Sequence, residues 1–241
     1  MSENNEDKQV ALVTGANKGI GREIAAGLAR LGFRVGIGAR DDGRRETAVA
    51  ELRAEGHHVF GVALDVTDDA SVAAAAAQLD RLDVLVNNAA VTGGMPQEPT
   101  QVSAAQVLEV VDTNVVGVIR VTNAVLPLLR RSASPRVVNV SSTVGSLTLQ
   151  TAQAEALGPI SAAYSPTKSY LNAITIQYAK ELAGTGILVN AACPGFVATD
   201  LNGHRGTRTP EQGAAIFLEL ATLPDDGPSG TFRDESGILP W

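Results

Sequence analysis

The chain has 241 residues, a formal net charge of −7 and 44% apolar residues, enough for one sizeable α/β core without a split into separate units. Its charges are interspersed, leaving no basic face to hold a nucleic-acid backbone. Cys193 is the only cysteine, which excludes an internal disulfide and a paired-cysteine zinc or redox centre. The polar, acidic start MSENNEDKQ and the lack of a membrane-length apolar run predict a soluble, cytoplasmic protein with residues 1–8 flexible and neither membrane nor nucleic acid as partner.

In chain order, QVALVT predicts a strand, followed by a helix from Ile20, the strand RVGIGA and a helix near Glu46 to Ala54. HVFGVAL predicts the third strand, and an alanine-rich helix near Ser71 to Leu79 follows it. DVLVN, a long helix from about Ser103 to Leu129, RVVNVS, a second long helix near Tyr164 and ILVNAAC complete the series. This βαβ rhythm belongs to a parallel sheet. It predicts one Rossmann domain over residues 1–241, a doubly wound α/β fold of about seven parallel strands with helices on both faces. The least regular segments, 145–161 and 195–209, follow strands at the carboxyl edge, where open α/β sheets form their ligand crevice.

Thr14 to Gly21 reads TGANKGIG and joins the first strand to the first helix, where bare amides and the helix dipole favour a phosphate. A side chain at Gly15 or Gly19 would restrict the turn or block a cofactor, whereas Gly21 equally serves helix-to-sheet packing. Tyr164 and Lys168 stand four residues apart, hence on one helix face. A phenol working near neutrality needs roughly 4 kcal/mol of electrostatic help against its ordinary pKa of about 10, which a neighbouring ammonium and an oxidised nicotinamide can supply. Pro166 suits a helix start near Tyr164. Ser142 ends a strand at the carboxyl edge, where its hydroxyl can bond a substrate oxygen. His57, His58 and His204 form no metal set, so no metal is expected. Cys193 reads as a buried structural thiol.

TGxxxGxG, the Asn87-Asn88-Ala89-Ala90 segment, Tyr164 with Lys168, and Cys193-Pro194-Gly195 together resemble the classical short-chain dehydrogenase/reductase family, in particular its carbonyl reductases. The likeness runs through most of the chain, although Ala90 stands where the family has glycine. It implies a nicotinamide cofactor held by Gly15, Asn17, Lys18, Gly19, Ile20 and Gly21, by Asp65 and Val66 at the adenine, and by Asn88 and Ala89. Pro194, Gly195, Val197 and Thr199 would cover the nicotinamide. Tyr164 is implied as proton donor, Lys168 as its partner and ribose ligand, and Ser142 rather than Ser141 as the family serine. Asn114 would hold, through its backbone carbonyl, a water linking the lysine to solvent.

By the same resemblance Ala39 takes the position of the acid that selects NAD, while Arg40 and Lys18 can converge on a 2′-phosphate. NADP(H) is therefore favoured, with NAD(H) as the alternative that Asp41 supports. The activity so implied is NADPH-dependent reduction of a ketone or aldehyde. An NAD(H)-linked alcohol dehydrogenase running oxidatively and a non-catalytic cofactor-binding regulator are the alternatives. The long gap from Ser142 to Tyr164 predicts an added segment, with Leu147, Leu149, Leu157 and Ile160 as apolar lining for a hydrophobic or aromatic small-molecule substrate. The helices around Asn114 and Tyr164 can pair in a homo-oligomer, which the added segment would oppose.

Overall fold

Alternation along β-branched runs divides the side chains of a strand between two faces, so a sheet built from such runs must be covered on both. A computed structural model describes residues 8–152 and 157–241; most of the N-terminal stretch expected to be flexible lies outside them. Strands β1 (Val10–Thr14), β2 (Arg34–Ala39), β3 (Val59–Ala63), β4 (Val84–Asn87), β5 (Arg136–Val140), β6 (Leu188–Ala192) and β7 (Phe232–Asp234) are parallel, in the order β3-β2-β1-β4-β5-β6-β7. The short β8 (Gly237–Ile238) adds antiparallel to β7. This is the doubly wound α/β sheet that the βαβ rhythm predicts. Neither β7 nor β8 has a sequence signal, because three and two residues are too few for a period to show.

The helices are α1 (Gly19–Arg30), α2 (Asp42–Ala54), α3 (Asp69–Ala77), α4 (Ala104–Val111), α5 (Gly117–Leu129), α6 (Leu147–Ala152), α7 (Ser165–Glu181) and α8 (Pro210–Ala221). Helix α2 begins upstream of the expected Glu46 because the Asp41 carboxylate caps it, accepting from the Arg44 N–H at 2.8 Å. The long helix expected from Ser103 to Leu129 is present, but its centre, Asp112–Val116, is a π turn between α4 and α5. The irregular segments also contain order: α6 is capped by Ser146, and α8, absent from the reading, opens on Thr209 with Pro210 and a Gln212 capping box.

One face of the sheet buries Ala11, Val13, Val35, Ile37, Val86 and Val138 under α1, α2 and α8. The other buries Val10, Leu12, Leu85, Val137 and Val189 under α3, α5 and α7. Chain order reverses between β1 and β4, and the loops leaving the carboxyl ends on either side of that point bound a crevice.

Candidate active site

Two glycines allow the β1–α1 turn to form: Gly15 and Gly19 have φ of +64° and +56°, the left-handed region where a side chain is strained. Space is also short. A Cβ at Gly15 would stand 2.9 Å from the Ala89 Cα, and one at Gly21 would collide with the Asn88 amide and lie 2.7 Å from the Gly15 carbonyl. Gly21 therefore serves close packing. Asn88 Nδ2 donates to the carbonyls of Thr14 at 2.8 Å and Gly15 at 3.1 Å, while Thr14 Oγ1 accepts from the N–H groups of Asn88 and Ala89. These bonds tie the turn to the end of β4.

The loop after β6 folds over the same turn. Thr199 Cγ2 lies 3.5 Å from where a Cβ of Gly19 would be, and Val197 is buried and bridged to Arg208. Gly195, with φ of +77°, makes the bend. Asp200 accepts from Lys18 Nζ at 2.7 Å and pairs with His204 at 2.8 Å, in solvent, where such pairs contribute little to stability. Lys18 thus has its partner in this loop, with no contact shared with Arg40. Arg40 is exposed, and its charge acts on Asp65. Burial raises the Asp65 carboxyl, but hydrogen bonds from Thr67 and the Arg40 charge outweigh it and hold the group below the usual range. Ala39 is buried, and Asp41 is committed to the α2 cap. Val66 packs its side chain against Gly117, so a ligand contact there falls to the main chain.

The residues expected to move the proton come from three elements. Lys168 is 3% exposed, donates from Nζ to the Val140 carbonyl at 2.7 Å, and lies 5.5 Å from the centre of the Tyr164 ring. Ser142 opens the turn after β5, Thr143–Gly145. That turn can press on α7 because Gly145 lacks a side chain: a Cβ there would stand 2.7 Å from the Lys168 carbonyl carbon. Of the adjacent serines, Ser141 is buried and donates to Asn172 Oδ1 at 2.6 Å. Ser142 accepts a long bond from the Val144 N–H, 3.4 Å, which leaves its hydrogen free to donate outward. Asn114 lies on the π turn, fully buried; its Oδ1 accepts from the Val91 N–H, and its Nδ2 donates to the Val91 carbonyl and to Thr167 Oγ1. Thr167 in turn donates to the Tyr164 carbonyl at 2.6 Å. The Thr167 hydroxyl thus links Asn114 to Tyr164, and no sequence pattern marks it for that place.

Burial pushes the Tyr164 phenol above its ordinary value of 10, with the Cys193 charge acting in the same direction, and pushes Lys168 down from 10.5 to about 8. Without a cofactor charge beside it, desolvation is the largest effect on the phenol. Beside this centre, a cavity of about 280 Å3 is lined by Val144, Leu157, Ile160, Pro166 and other uncharged residues. Leu147 and Leu149 do not line it; Leu147 points into solvent, 64% exposed. Cys193 is buried, as expected, and accepts from the Gly195 N–H.

The short chain dehydrogenase family profile matches residues 9–209. The chain belongs to the short-chain dehydrogenase family. This short-chain dehydrogenase is 35% identical to "Carbonyl reductase [NADPH] 1" of Sus scrofa, over 97% of its length and 94% of that protein. It is 41% identical to a "Putative ketoacyl reductase" of Streptomyces coelicolor over 81% and 73% of the two chains. Among solved structures, an actinorhodin polyketide ketoreductase with NADPH superposes with a TM-score of 0.85 at 31% identity, covering 98% of each chain. The protein is thus an NAD(P)-dependent oxidoreductase acting on alcohol or carbonyl groups. Because the turn carrying Ser142 rests on the Lys168 backbone, Gly145→Ala is expected to destabilise the fold by about 1–3 kcal/mol and to reduce turnover. Denaturant unfolding and steady-state rates check both; an unchanged midpoint would remove the close-approach argument.

Proposed function

We propose that this short-chain dehydrogenase reduces a neutral, largely apolar ketone or aldehyde with NADPH, Tyr164 donating the proton. The observation that carries this reading is the Lys168 ammonium beside the Tyr164 ring, 5.5 Å from its centre and bonded to the Val140 carbonyl, with the turn that opens on Ser142 pressed against the same helix. A positive charge beside the phenol favours the phenolate as the proton leaves, which lets the hydroxyl act as an acid toward a carbonyl oxygen. A dinucleotide fits the β1–α1 turn, since Gly15 and Gly19 give it its left-handed bends and the N-terminus of α1 carries no side-chain cap, which leaves its amides for a phosphate. When bound, the reduced nicotinamide supplies the hydride. Ser142 donates a hydrogen bond to the substrate oxygen and holds it toward Tyr164. Lys168 binds the ribose and keeps a positive charge near the phenol as its proton leaves. Asn114, on a turn whose backbone bonds are offset by one residue, offers its carbonyl to a water that returns the proton. The uncharged cavity suits an apolar substrate body.

NADPH is preferred on this reading because no acid is placed for the ribose hydroxyls: Ala39 holds that position, and Asp41 is turned to its helix. Arg40 is open to solvent and available to a 2′-phosphate. Lys18 joins it by exchanging Asp200 for phosphate. A charge-assisted bond of about 1.5–3 kcal/mol is then at stake, so Arg40→Ala is expected to raise the KM for NADPH roughly tenfold or more and leave that for NADH nearly unchanged. Ala39→Asp moves preference toward NADH. Paired kinetics with both cofactors, run on a panel of ketones and aldehydes, test the function and the preference together; faster turnover with NADH by the unmodified enzyme would reverse the cofactor reading.

A further inference from the structure

Tyr164 at the N-cap of α7, then Lys168, Asn172 and Thr175 within it, follow one another along the side that looks onto the sheet, and the last three are at most 3% exposed. Opposite them, Asn139 and Ser141 share one face of β5 and its extension. Asn139 Nδ2 donates to Thr175 Oγ1 at 2.8 Å, and Ser141 Oγ donates to Asn172 Oδ1 at 2.6 Å. The strand end is itself anchored: Asn139 Oδ1 accepts from Asn87 on β4, and the Ser141 N–H donates to Ala192 on β6 at 2.7 Å.

Apolar packing is non-directional and lets a helix slide or turn on a sheet by a fraction of an ångström. Two buried hydrogen bonds, on successive turns of α7, fix both its axial position and its rotation. Stability alone does not account for this choice. Asn172 Nδ2 is buried and finds no partner among the described residues, a cost that an apolar pair of similar volume would avoid. The hydroxyl of Ser141 is also one residue from Ser142, so the bond joins the element carrying the serine to the helix carrying Tyr164 and Lys168.

We infer that the Ser141–Asn172 pair is a positioning device: it sets the register of α7 on β5 and, through it, the placement of Tyr164 against Ser142. This rests on the proposed roles of those two residues. The test is the double variant Ser141→Ala/Asn172→Leu, which removes both polar partners together, with Ser141→Thr as the conservative control. The readouts are kcat, the KM for NADPH, the thermal midpoint and a crystal structure. In the double variant kcat should fall by about 10–100-fold while the midpoint is held or raised, and the KM for NADPH should stay within about threefold. Ser141→Thr, which keeps the hydroxyl, should retain kcat within about threefold.

An unchanged kcat in the folded double variant overturns the inference, as does a loss that merely follows loss of folded protein. Should the double variant not fold, Ser141→Ala alone must lower kcat by about threefold or more, and no loss there overturns it equally. If the unmodified enzyme turns over no carbonyl with NADPH, the proposed function fails by itself. The crystal structures still decide this point, because an α7 unshifted on β5 in the variant shows that the pair sets no register.

Discussion

Tyr164→Phe is expected to lower kcat by about 10²–10⁴-fold, the range of a positioned general acid, and to leave NADPH binding almost unchanged. The ring is retained, and with it the contact 5.5 Å from the Lys168 ammonium; only the hydroxyl is lost. Thr167 bonds to the Tyr164 main chain, so the backbone position does not depend on the side chain exchanged. Single-turnover rates and direct cofactor titration separate the two quantities. Turnover within a few fold of the unmodified enzyme would end the assignment of Tyr164 as proton donor.

The second large effect concerns Lys168, whose ammonium is buried and whose pKa is pushed down from 10.5 to about 8. Because the folded value lies below the unfolded one, the unfolded chain binds more protons between those limits, and stability rises with pH across them. Below about pH 8 the penalty of the buried charge is present in full, roughly 3 kcal/mol. Lys168→Met is therefore expected to abolish most turnover and weaken cofactor binding while costing little stability at pH 7, even though the 2.7 Å bond to Val140 is lost. As pH rises from 8 toward 10, the unmodified chain should gain stability relative to the variant. Urea unfolding of both proteins at several pH values measures this, and a difference constant between pH 7 and 10 would contradict it.

Much of the fold was legible because its signals are local. The first six strands and the helices between them follow from the period of their apolar residues, and the β1–α1 turn from glycines that only a left-handed backbone requires. TGANKGIG and the four-residue spacing of Tyr164 and Lys168 are likewise contiguous, and with the wider likeness they were enough to point to the family. The start of α2 was misplaced by four residues because an aspartate cap carries no apolar period, and β7, β8 and α8 were missed for want of a run long enough to show one.

The chemical environment, by contrast, is set by groups far apart in the chain. Nothing local distinguishes Ser141 from Ser142; the difference is Asn172, which lies 31 residues away and engages one hydroxyl. Asn114 sits in a helical pattern whose π turn a periodic reading cannot separate from α-helix. Lys18 meets Asp200 across 182 residues, and Asp41, which supported only the NAD(H) alternative, caps its helix through a bond three residues away. The sequence by itself determined which residue types could do hydride and proton chemistry and the order of elements that carries them. Only the tertiary structure decided which are buried, which hydroxyl is free and how the phenol is held, because desolvation and hydrogen-bond partners depend on what the fold places within a few ångströms.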